Sequence, residues 1–86
     1  MPDVPETMDT LGWIYHKKNL PGLAGPLLKR SVEKQPSNPV YHYHLGVAQL
    51  KAGDSSLGRR SLERALELRA DFAGADDARR ALGLVQ

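Results

Sequence analysis

The sequence predicts an all-α fold, with five helices set out as two helix–turn–helix units followed by a lone closing helix. Three observations carry that expectation. A shift of 34 residues lays Pro5 on Pro39, Leu11 on Leu45, Gly12 on Gly46, Lys17 on Lys51, Leu28 on Leu62, Arg30 on Arg64 and Glu33 on Glu67. Composition alone would give roughly two identities, and these fall on the apolar and small positions that a stacked repeat must keep. Apolar residues also recur at helical spacing: Tyr41, Leu45, Ala48 and Leu50 before Gly53-Asp54, then Leu57, Leu62, Ala65, Leu66 and Leu68 after it. The third observation is the punctuation between these stretches, where glycine, proline, asparagine and aspartate gather.

Taken in order, the first helix is expected over about residues 4–18, opened by a capping box of Asp3 and Glu6 with Pro5 in its first turn. Its packing stripe is Met8, Leu11, Gly12 and Tyr15, with Ile14 beside it, and Gly12 marks the close approach of a partner helix. Lys17, Lys18 and Asn19 close it. A second helix, about 21–35, presents Leu23, Ala24, Leu27, Leu28, Ser31 and Val32, and Pro26 within it predicts an irregularity before Leu27. Pro36-Ser37-Asn38-Pro39 breaks the chain, with Asn38 capping and Pro39 opening a third helix to about residue 52. Gly53 ends that helix, and Asp54 or Ser55 caps a fourth, about 55–69. Asp71 is placed to cap a fifth, about 72–84, whose thin stripe of Phe72, Ala75, Ala78, Ala81, Leu82 and Val85 runs among charges. Helices joined by such short connections fold back as antiparallel hairpins.

At 86 residues the chain is one small domain, near the size where a single core is only just sufficient. It has no cysteine, so neither disulfides nor thiolate metal sites support it, and the redox compartment stays open. No run of about 18 apolar residues is present to span a membrane. The opening Met1-Pro2-Asp3-Val4-Pro5-Glu6 lacks the regions of a signal peptide, so a soluble protein is expected, with bacterial cytoplasm and periplasm both open. The formal net charge is +2, and Arg59, Arg60, Arg64, Arg69, Arg79 and Arg80 are interleaved with Glu63, Glu67, Asp71, Asp76 and Asp77. Interleaved charge describes solvated helix faces better than a nucleic-acid surface.

The residues that could do chemistry do not converge. His42 and His44 are two apart and point to opposite sides of a helix, so they cannot share a metal. Ser31 and Ser61 sit at packing positions with no histidine in a triad-like order, and no glycine-rich loop leads into a Lys-Ser/Thr pair. No enzyme activity and no cofactor are expected.

A 34-residue helix–turn–helix period with Leu-Gly in its first helix resembles the tetratricopeptide repeat. The first copy reads Leu11-Gly12, Tyr15, Ala24, Leu28 and Pro36; the second reads Leu45-Gly46, Gly58, Leu62 and Ala65. The resemblance covers nearly the whole chain. Departures stand at Met8 and His42 where the motif favours Trp, at Gln49 and Gly58 where the first copy has Tyr15 and Ala24, and at Ala70 for Pro36. The resemblance implies a right-handed solenoid, one domain over 1–86, with repeats at 5–38 and 39–72 and a capping helix at 73–86. It further implies a concave groove lined by the first helix of each unit. In this register the groove residues are Asp9, Trp13, His16 and Lys17 with Glu6 from the first unit, then Tyr43, Val47, Leu50 and Lys51 with Val40, then Asp77 and Ala81. The implied partner is a protein or peptide that sets apolar anchors on Trp13 and Tyr43. Family members that grip a carboxylate tail use lysine and asparagine in the groove, with lysine and arginine from the third unit, at places where this chain has Asp9, Trp13, His44, Gly74 and Ala78, so a tail adaptor of that kind is disfavoured. Two rival readings stand beside groove binding. One is a structural C-terminal cap or assembly segment of a longer array, with self-association as a variant. The weaker one is nucleic-acid contact through the arginines of the second half.

Overall fold

The computed structural model describes residues 4–84, and among them there are five helices and no strand. They are α1 (Pro5–Lys17), α2 (Pro21–Lys34), α3 (Pro39–Lys51), α4 (Ser55–Leu68) and α5 (Ala75–Ala81). None is long and apolar enough to cross a membrane.

The 34-residue period reappears as backbone geometry. At the end of α1, Asn19 takes φ 63°, its N–H donates to the His16 carbonyl, and Leu20 N–H donates to Tyr15. At the end of α3, Gly53 takes φ 93°, its N–H donates to Leu50, and Asp54 N–H donates to Gln49. Each pair of bonds closes a helix through one left-handed residue, which glycine and asparagine adopt at least cost. Between the units, Asn38 Oδ1 accepts from Val40 N–H at 2.9 Å and Tyr41 N–H at 3.2 Å, with Pro39 at the first helical position. The expected cap is therefore made by its side chain. Asp54 precedes α4 as expected but makes no side-chain cap hydrogen bond.

The two hairpins also cross at the same pair of residues. A side chain on Gly12 would lie 2.8 Å from Leu28 Cγ, and one on Gly46 would lie 2.9 Å from Leu62 Cγ. Leu28 and Leu62, one repeat apart, are both fully buried. The missing side chains are what let these helices touch. Ala24 and Leu28 of α2 pack with Leu45 and Ala48 of α3 in one core cluster. Tyr43, Leu62, Ala65, Ala78 and Leu82 form a second cluster across α3, α4 and α5, with Phe72 against it. Ser31 of α2 is fully buried and donates to the Leu28 carbonyl at 2.7 Å, which satisfies its hydroxyl within its own helix. The first helices α1, α3 and α5 adjoin in succession, and α2 lies against α3.

Several expectations need correction. Leu11, Ile14, Leu23 and Leu57 are exposed rather than in the core. Leu23 and Leu57 occupy the same place in their units, roughly a quarter to a third of a turn off the buried stripe, so both face outward for one reason. Helix α2 runs unbroken through Pro26, which is exposed. The last helix starts at Ala75 rather than near 72, because Gly74 takes φ 107° and turns the chain there. Phe72 therefore sits in the connection, and Asp71 does not cap the helix. The capping box of Asp3 and the stripe residue Val85 lie outside the described residues.

Candidate functional site

Asp9, Trp13 and His16 follow one another at four and three residues along α1, so they share one stripe. That stripe faces α3. The Trp13 ring stacks on His44 at 4.0 Å between centroids and 18° between planes, and on His16 at 4.8 Å and 19°. Three flat rings thus lie in a stack, His44, Trp13, His16, with the Lys17 ammonium 5.6 Å from the indole centroid. A cation at that distance is attracted by the face of the ring.

Beneath the stack, His44 Nδ1–H donates to both carboxylate oxygens of Asp9, at 2.9 and 2.8 Å. Asp9 is only 5% exposed, which is uncommon for a carboxylate without a partner and expected for one that has a charge-assisted donor. The bond fixes the imidazole orientation and so the surface on which Trp13 rests. Burial first, and then the Lys51 and Lys17 charges among its neighbours, hold the His16 imidazole below its ordinary pKa. Two exposed ammonium groups, Lys17 and Lys51, stand at the open end of the stack.

Beside the stack, the Tyr43 ring lies 6.0 Å from Trp13 and 5.9 Å from Phe72. Its hydroxyl donates to Asp77 Oδ2 at 3.3 Å, while Arg80 donates to Asp77 Oδ1 at 2.6 Å. Burial first, and the Asp77 charge second, push the Tyr43 phenol upward; the Arg80 hydrogen bond holds Asp77 down.

The structure brings together Trp13, His16 and Lys17, and adds His44, which the sequence names among the tail-gripping positions but leaves out of the partner groove. Trp13 and His16 are half-buried, and Lys17 and Lys51 are exposed. Tyr43 is a correction: at 8% exposed it belongs to the core under α5, not to an open trough. Val47 and Leu50 are half-buried and pack against that same core, Leu50 filling the space left by Gly58. Asp9, expected among the groove residues, is buried and paired. The Asp9–His44 pair joins residues 35 apart on two helices, and no pattern along the chain announces it.

In the second half, Arg59, Arg64, Arg79 and Arg80 reach Glu63, Glu67, Asp76 and Asp77 on their own helices. Arg79 also donates to the Ala70 carbonyl. A concavity of about 730 Å³ lies away from the ring stack, between the Gln35–Val40 turn and Leu68–Ala73. It is the gap between two successive turns, with Arg69 as its one charged lining side chain. The ring stack is the better candidate site. No protein-family model matches the chain, and no curated protein is similar to it.

Proposed function

We propose that the chain is a tetratricopeptide-type right-handed solenoid whose activity is protein–protein interaction, with the partner segment lying across α1 and α3 over Trp13. The observation that carries this reading is the half-exposed indole, fixed between His16 and His44 before any partner arrives. A large aromatic that is already ordered loses little freedom on binding and makes an effective anchor point. The partner is an extended or helical segment that sets an apolar side chain on Trp13 and turns an acidic one toward Lys17 and Lys51. Arginines already engaged by carboxylates of their own helices favour this reading over a nucleic-acid strand.

The test is isolation of a partner with the full chain, then titration of that partner against variants. Trp13→Ala should weaken it roughly 30-fold or more, as loss of an interface anchor does. Lys17→Glu with Lys51→Glu should weaken it and reverse its salt dependence. Circular dichroism checks that each variant keeps its helices, and Trp13→Phe serves as a milder replacement in the stack. Loss of binding only in an Arg59→Ala/Arg60→Ala control would move the site to α4.

A further inference from the structure

Position for position, α1 and α3 are the same kind of helix, but only α3 has a neighbour on its outer side. Leu45 and Ala48 of α3 are 8% and 6% exposed because Ala24 and Leu28 of α2 lie on them. One repeat earlier the same two places hold Leu11 and Ile14, and these are 38% and 43% exposed. With Glu6, Thr7 and Thr10 they line a shallow, mostly apolar groove of about 390 Å³ along α1. Thr7 and Thr10 stand at the places of Tyr41 and His44, of which His44 turns to α1, so the groove repeats the α2-facing side of α3 through Leu11 and Ile14.

We propose that this face of α1 is a docking surface for a further helix–turn–helix unit of the same repeat, stacked ahead of α1. It presents its second helix as α2 does: a small residue and, four residues on, a leucine, seated over Leu11 and Ile14. This rests on the repeat reading above. The α2–α3 contact supplies the template, since the same register turns a buried leucine into an exposed one only where that helix is missing. A second copy of this chain is a poor occupant, because among its described residues it has no such helix to give. Its α2 is engaged by α3, and the matching leucine of α4, Leu62, is packed in a core cluster with Ala78 and Leu82.

The experiment adds a copy of residues 5–38 directly before Pro5 of the full chain. The junction then repeats the native Asn38-Pro39 step, since Pro5 and Pro39 hold the same place. In the parent, Leu11→Asp should shift the melting temperature by no more than about 4 °C, as expected of a surface substitution. Leu45→Asp in the parent should abolish cooperative melting. In the extended chain, Leu11→Asp at the native position should lower the melting temperature by more than about 10 °C, a loss of buried-core size. Amide protection of α1 should rise in the extended chain and fall back in that variant. If Leu11→Asp is as mild in the extended chain as in the parent, the docking surface is refuted. A parent dimer on sedimentation that Leu11→Asp abolishes would give the face to a second copy and refute it too. A mild Leu45→Asp would instead refute the repeat reading itself.

Discussion

The α1–α2 and α3–α4 hairpins close with matching backbone hydrogen bonds and cross at the same glycine–leucine pair, yet they fill one space differently. The second hairpin has Gly58 where the first has Ala24, and Leu50 occupies the vacated volume. The residue matching Leu50 in the first hairpin is His16, which stacks on Trp13 instead. With a methyl group already on α2, the first unit has no need of a leucine at that place. A side chain is thereby released from packing, and the open ring stack is built from it.

The largest effects should come from what the hairpins share. Leu28→Ala and Leu62→Ala should each cost about 2–5 kcal/mol, and agree within about 1 kcal/mol, because each fully buried leucine seats on a glycine. Urea midpoints check this, and a loss confined to one unit would break the equivalence. The next effect sharpens the difference. Gly58→Ala gains about 1 kcal/mol in helix propensity, but its methyl would lie 2.7 Å from Leu50 and 2.9 Å from the Gly46 carbonyl. Leucine can yield and backbone cannot, so a net loss of about 1–2 kcal/mol is expected. Ala24→Gly in the first hairpin should cost about as much, through propensity and a lost buried methyl. Thermal melts of the two variants would show that neither unit accepts the other's residue.

The smallest effect concerns His16, whose counterpart Leu50 does not titrate. Burial and the nearby cations hold its folded pKa below the unfolded value, so the unfolded chain binds the proton first as pH falls. Stability from neutral His16 is complete above the ordinary value and is lost as pH drops through it toward the folded one. The drop in melting temperature from pH 7.5 to 5.5 should therefore be smaller in His16→Asn than in the parent. An equal drop in both would show that His16 carries no such linkage.

Much of this was legible along the chain. The period, the Gly12 and Gly46 contacts, the Asn38 cap and the left-handed Asn19 and Gly53 all follow from local rules that act within a few residues. The exposure of Leu23 and Leu57 was legible too, from their angular distance to Leu28 and Leu62, but apolar character outweighed angle in the reading. Leu11 was not legible in that way, because its exposure depends on a neighbour and not on itself. Tyr43 and Asp9, both expected in the groove, are both buried, for a related reason. The tyrosine is covered by α5, and the aspartate is buried only because His44 stands across from it. Pairing between helices decides such cases, and a 34-residue spacing names the helices without naming the partners.

Helix α5 is held by less than any other helix. It has seven residues, with the small side chains of Ala75 and Ala78 buried, a 3.3 Å hydrogen bond from Tyr43, and the seat of the Tyr43 ring against Gly74. Short elements with few buried contacts open at a lower free energy than the whole domain unfolds. Opening here uncovers Tyr43, Leu62 and Ala65 together, a continuous apolar surface on an otherwise intact pair of hairpins. Association through that end would then follow the seating of one short helix and not the melting temperature of the whole domain.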